Sequence, residues 1–402
     1  MIQSSFFAFG MHQPATIELI HLTEQDHALK NMLIKSINKA KQINPDKKTN
    51  PAQSLEEYYA FLDHAVQALP WEILPLPHIN LSNQIGQGLS YLNFINDQPL
   101  SELKGKNLFH NSLQYYEPYK TWLIHFDEYW GAFLNTDASW NDNYLKKVQA
   151  APEFGLQYGW YENSTHWKTF NDFFSRHLKS PSARPIARPN DASILISPAD
   201  SVPQGIWSID AQSHIISGVQ IKTKFYATIQ QLLGPDSKYK DAFAEGTVTH
   251  AFLNTQDYHR YHLPLSGTVL EAKIIQGGHN IGGKISWNPS KKTYDYVFKD
   301  LGWQSLETRG KVILQTKDYG LVALLPIGIA QVSSVNFEHN IHAGAHVNKG
   351  DMLGYFLFGG SDFVMIFQKQ VKLDLLVPKN KDGQYIHILM GEKYARLKVC
   401  VR

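Results

Sequence analysis

The sequence predicts an α+β chain: a helical N-terminal domain over residues 1–155, then a mostly antiparallel, β-rich domain over residues 156–402. Three observations carry that reading. Apolar residues recur at helical intervals through the first 150 positions, Pro152, Gly155 and Gly159 break the pattern, and short β-rich runs punctuated by Gly and Pro follow.

In the first part, Ser54 and Glu57 have capping-box spacing. Leu55, Tyr58, Leu62, Ala65, Val66 and Leu69 then repeat with helical period until Pro70. Trp122, Phe126, Tyr129, Trp130 and Phe133 form an aromatic stripe, a pattern that serves packing far more often than cofactor binding. Residues 35–48, with several lysines and Asn44-Pro45-Asp46, read as a solvated segment ending in a loop. Beyond the boundary a short helix is expected near Trp167–Leu178 and another at Tyr226–Leu233. Strands are expected at 194–196, 247–249, 312–314, 321–325 and 364–367. Glycine-bearing turns over 343–354 fold the last strands back, giving a sandwich with Gly360-Ser361 at a strand end.

Composition narrows the function classes. Lys plus Arg number 38 against 36 Asp plus Glu, a net charge of +2 that gives no basic surface for nucleic acid. Cys400 is the only cysteine, so no intramolecular disulfide forms and no CxxC metal framework exists. The first residues lack a basic opening and a sustained apolar run, and the longest apolar stretch, 319–332, falls short of the ~20 residues of a spanning helix. The expectation is a cytoplasmic chain whose membrane contact, where there is any, is peripheral.

Phe358-Gly359-Gly360-Ser361 is the stretch with most chemistry in it. Two glycines leave the Gly360 carbonyl open, and the Ser361 hydroxyl is the adjacent nucleophile. Attack would turn the 360/361 amide into an ester, and elimination then hydrolysis would leave a pyruvoyl group and a cut chain. The competing reading is a hairpin turn. Such a serine needs a base, best oriented by a carboxylate. Asp257-Tyr258-His259-Arg260-Tyr261-His262 offers two histidines three apart, which an extended chain turns to opposite faces, so one shared metal is awkward. Viewed alone, they are as well read as hydrogen-bonded histidines of a chain that has 18. Asp200, in Ser197-Pro198-Ala199-Asp200, closes an apolar run and reads either as a turn residue or as the carboxylate that orients a histidine. Arg176, Lys179, Arg184 and Arg188 read as a solvated basic loop, with an anionic group or acidic lipid as its alternative partner.

Taken in order, Phe173-Phe174-Ser175-Arg176, Ser197–Asp200, Asp257–Pro264 with Gly267, Lys349-Gly350, and Phe358–Ser361 resemble the phosphatidylserine decarboxylase family over roughly residues 165–375. The resemblance implies self-cleavage at Gly360/Ser361 and a pyruvoyl cofactor derived from Ser361. The products would be a 360-residue chain and its 42-residue partner. It gives Asp200 and His262 the part of cleavage partners and His259 that of proton handling during loss of CO2 through a Schiff base, with no metal. Two positions depart from the family pattern: Ser201 stands where glycine is usual and Gln368 where glutamate is usual. Phosphatidylserine is the substrate that the resemblance puts first. A free, tryptophan-like amino acid is second, because the helical N-terminal region is similar to that of soluble members. A binding protein on the same fold that never matures is a third expectation.

Overall fold

The computed structural model describes residues 12–216, 228–280, 282–297, 302–330 and 334–400. Among the described residues seven α-helices come first: α1 (Pro14–Gln25), α2 (His27–Ile43), α3 (Leu55–Ala65), α4 (Leu81–Phe94), α5 (Tyr119–Leu134), α6 (Asp142–Gln149) and the single-turn α7 (Phe170–Phe174). The Ser54 hydroxyl accepts from Glu57 N at the start of α3, but the Glu57 carboxylate turns to Gln53 N instead of closing the box. On α5 the stripe is core as expected: Trp122 and Trp130 are buried and donate their indole N–H groups to Ala15 O and Ala68 O, tying α5 to α1 and to the turn after α3. Tyr129 is the exception, 46% exposed. The solvated reading of 35–48 is corrected over its first half. Residues 35–43 continue α2, because Ser36, Ile37 and Ala40 fall on its buried face and the lysines on the other.

The strands follow: β1 (Ile194–Ile196), β2 (Val202–Ile209), β3 (Ile215–Ile216), then helix α8 (Ile229–Leu233), β4 (Thr247–Leu253), β5 (Arg260–His262), β6 (Gly267–Ile275), β7 (Lys284–Asn288) and β8 (Thr293–Val297). They continue with β9 (Arg309–Gln315), β10 (Leu321–Ile329), β11 (Val335–Phe337), β12 (His346–Val347), β13 (Met352–Phe356), β14 (Gly360–Phe367), β15 (Val371–Leu375) and β16 (Lys393–Val399). The helix expected near 167–178 is thus the five-residue α7. Of that expected at 226–233 only α8 is seen, positions 226–227 lying outside the described residues.

Every pair of these strands among the described residues is antiparallel. One eight-stranded sheet has the order β12-β6-β9-β10-β14-β4-β2-β3. Two three-stranded sheets, β1-β16-β15 and β11-β13-β5, and the β7-β8 hairpin complete the set. Alternation along β14 sorts its side chains between two cores. Val364 and Ile366 pack with Val248, Leu325 and Ile327 on one face. Phe363, Met365 and Phe367 pack on the other, in a cluster that runs without a break into the N-terminal helices. The helical and β-rich parts therefore share one hydrophobic interior. Tyr294 of β8 is one seam: its hydroxyl donates to Thr49 O and accepts from Asn44, with its ring 4.8 Å from that of Phe94.

Candidate active site

Gly360 opens β14 as a central strand, opposite Ile329 of β10; Ser361 stands opposite Gly328 on one side and Leu253 of β4 on the other. The segment before it is held by α7. Asn171 accepts the Phe358 N–H at 2.9 Å, and the Phe358 ring meets those of Phe170, Phe174 and Trp130 at 5.2–5.3 Å. Thr169 and Asp172 form a full capping box on α7, so this single turn is fixed at its own start. Gly359 has φ +150°, which a side chain would strain. The result is a rigid approach to the 360/361 bond.

Ser361 is fully buried and its Oγ has no hydrogen-bond partner. Leaving a buried hydroxyl unpaired costs about 1–3 kcal/mol. By strand alternation Ser361 shares the face of Phe363, and Phe363 touches Tyr261 of β5 at 5.8 Å. That fixes which side of β5 looks toward the serine. Tyr261 and His259 share it, whereas Arg260 and His262 point the other way.

The histidines accordingly differ. His259 Nδ1 lies 2.8 Å from the Asp257 carbonyl, which can only accept, so Nδ1 carries the proton and Nε2 the lone pair. Nε2 is buried and unpartnered. The ring stacks on Phe174 at 3.8 Å, and Phe174 in turn packs on Phe358, so a single aromatic ring bridges His259 to the segment that carries Ser361. Burial, aided by the nearby Arg176 guanidinium, depresses its pKa to about 3, which keeps it a neutral base. His262 donates from Nδ1 to Gly350 O at 2.8 Å, and its Nε2 accepts from the Tyr258 hydroxyl at 3.1 Å. Burial lowers its pKa to about 4. Both nitrogens are engaged, beside a cavity of about 560 Å³ lined also by Lys179, Arg184 and Lys349.

Asp200 is brought near His262, since His262 N donates to Pro198 O, but the two side chains share no hydrogen bond. The carboxylate is clamped by Arg184, at 3.3 Å from Nε and 2.9 Å from an outer nitrogen, and by Met390 N at 2.7 Å. The solvated reading of the basic loop is corrected for two of its four members. Arg176 is fully buried, its guanidinium donating to the carbonyls of Phe173, Gln256 and Asp257, and Arg184 is buried on Asp200. Lys179 and Arg188 are exposed.

Other residues escaped the sequence reading. Asp257 holds His387 at 2.9 Å, which ties the stretch carrying both histidines to a segment beyond the proposed cut. On the opposite face of β14, fully buried Asp362 bonds His250 at 2.9 Å and accepts from Gln304, while Trp207 stacks on the imidazole. Strand alternation would have placed Asp362 behind Ser361, but its partner comes from β4, 112 residues away.

Ser361 Oγ and His259 Nε2 are thus a hydroxyl and an imidazole nitrogen that are both buried and unpartnered, the two kinds of group that a nucleophile-and-base site needs. The chain belongs to the phosphatidylserine decarboxylase family, whose model matches residues 170–396. It is 36% identical over 203 residues to phosphatidylserine decarboxylase proenzyme 2 of Oryza sativa subsp. japonica, covering 50% of this chain and 30% of that protein. It is 29% identical over 214 residues to decarboxylase iboD of Amanita muscaria, covering 51% and 59%. With L-tryptophan decarboxylase of Psilocybe cubensis it shares 28% over 248 residues, covering 58% and 53%. The chain thus spans from under a third to about three fifths of the length of these relatives. No helix among the described residues is long and apolar enough to cross a membrane.

Proposed function

We propose that the chain cuts itself between Gly360 and Ser361 and then removes the α-carboxylate, as CO2, from an amino-acid group. The observation that carries this is the Ser361 hydroxyl, buried and unpartnered next to a glycine, with His259 linked to the segment before it through the rings of Phe174 and Phe358.

The geometry supports the following roles. Ser361 Oγ is the nucleophile on the Gly360 carbonyl carbon. His259 Nε2, neutral and free, is the base the arrangement supports, and it later handles the proton at the decarboxylated carbon. His262 and Asp200 would take up the cleavage parts that the family resemblance gives them once Tyr258 releases Nε2 and Arg184 releases the carboxylate. A pyruvoyl group made from Ser361 would supply a carbonyl that draws off the electrons left by the departing carboxylate. Around it, Phe174 and Phe358 exclude water and Asn171 holds the strand entry. The partner is the chain's own 42-residue C-terminal piece, held on both sides of β14 and β16.

Phosphatidylserine is the substrate in the family's name; free amino acids are the second reading, supported by the similarity to L-tryptophan decarboxylase. Intact mass of the purified protein should show two pieces, and Ser361→Ala a single chain of 402 residues. Wild type that stays whole, or cut protein that releases no CO2 from phosphatidylserine vesicles or any free amino acid, would overturn the proposal in favour of a binding protein.

A further inference from the structure

A cleft of about 440 Å³ lies between α5 and the β-rich part, and the proposed reaction does not use it. One wall is α5, with Asp127, Glu128 and Ala132. The other is built from the end of β6, His279, Thr308 and Val335 of β11. We propose that this cleft binds a protonated primary amine that carries an apolar tail, with the ammonium group held on Asp127 and Glu128. The α5 wall lies outside the segment that the family model matches, so half of the site belongs to what is particular to this chain.

Asp127 carries the argument. It is 0% exposed, yet neither of its carboxylate oxygens has a hydrogen-bond partner. A carboxylate offers about four lone-pair sites. Leaving even a neutral buried group unpaired costs about 1–3 kcal/mol, and a charged one more. His279 Nδ1 stands 3.5 Å from Asp127 Oδ2, a charge contact without a hydrogen bond, and Nδ1 is itself unpartnered. The missing donors also show in the acidity of the group. Burial raises the Asp127 pKa to about 7 against the pull of His279, and Glu128 adds to the rise.

The rest of the cleft selects the kind of cation. Among the described residues that line it none is Lys or Arg, so two carboxylates face the space with only His279 beside them. An anion would be repelled there. No group of three His, Cys, Asp or Glu among the described residues is placed to ligate a metal ion. An ammonium supplies three donors and a full charge, which makes each of its hydrogen bonds to a carboxylate a strong one. The volume exceeds the roughly 300 Å³ at which pockets for small organic ligands begin. Ile274, Ala132 and Val335 give the carbon tail an apolar surface.

Binding is measured by calorimetry on whole Ser361→Ala protein. No pyruvoyl group can form in it, so an amine has no ketone to condense with, and the result stands apart from the decarboxylase reading. Phenethylamine is the probe, phenylethyl alcohol its uncharged match, and magnesium and calcium chloride the bare cations. Phenethylamine should bind saturably and the alcohol and the metal ions should not. Asp127→Asn should weaken that binding at least about tenfold, and Glu128→Gln should weaken it less. Ala132→Lys, at an exposed position one helical turn from Glu128, brings its own ammonium group to the cleft and should abolish binding with both carboxylates in place. It decides the matter where Asp127→Asn fails to fold. No saturable binding of phenethylamine, equal binding of the alcohol, metal ions that bind and displace the amine, or phenethylamine binding that Ala132→Lys leaves unchanged would each overturn the proposal.

Discussion

Breaking the Arg184–Asp200 pair should separate a structural from a chemical part for Asp200. The two side chains are 1% and 4% exposed and joined by two N–H···O contacts, with Met390 N as a third donor to the carboxylate. Removing one partner of a buried pair leaves an uncompensated charge and costs about 3–5 kcal/mol, while removing both with little change of volume is close to neutral. Asp200→Asn and Arg184→Met should each fall in that range, Asp200→Asn at the low end because its amide oxygen still accepts from Met390 N. The double variant should recover at least about 2 kcal/mol relative to the sum. Urea midpoints measured in a Ser361→Ala background, where the chain stays whole, give the comparison. With Ser361 restored, the double variant should be stable and still fail to cut, which assigns the carboxylate to the reaction. A double variant that cuts normally would confine Asp200 to holding its loop. Single variants costing under about 1 kcal/mol would refute the reasoning from the buried pair itself.

Tyr258→Phe removes the donor to His262 Nε2, freeing that nitrogen, so the two pieces should appear several-fold faster by intact mass; a slower cut would place the Tyr258–His262 bond inside the machinery. Acid should also weaken the fold through the buried histidines. With folded pKa values of about 3 for His259 and about 4 for His262, both lie below the unfolded value, so their contribution is complete above about pH 6.5. It is lost as pH falls toward the folded values, by about 2 kcal/mol each at pH 5. The urea midpoint of uncut Ser361→Ala protein should therefore drop further between pH 7 and 5 than that of Ser361→Ala/His259→Gln. The difference between the two cancels buried Asp127 and Glu307, whose pKa values burial raises to about 7 and 8 and which act in the opposite sense.

Periodicity carried the sequence reading a long way. The α3 and α5 stripes, the strand runs and the position of Gly360-Ser361 at a strand end were all legible, because each depends on neighbours a few residues apart. The same local rule put His259 and His262 on opposite faces of an extended segment, as found. What stayed hidden depends on distant partners. Nothing near Arg176 or Arg184 announces the carbonyls and carboxylate that bury them, 16 to 81 positions away. The Tyr258 hydroxyl that occupies His262 sits four residues off, but only the turn of the chain aims it. A cavity of about 210 Å³ beside α4 is the extreme case, since its walls come from four separate stretches between Ser82 and Ala330.

The last 42 residues contribute the inner strands of two different sheets: β14 lies between β10 and β4, and β16 between β1 and β15. A break before residue 361 would therefore shed nothing, and dilution alone would not part the two polypeptides. It would, however, make folding a one-way event. A mature molecule unfolded by heat or urea would have to reassemble two interleaved polypeptides that had first folded as one, so its lifetime would be governed by how slowly it opens.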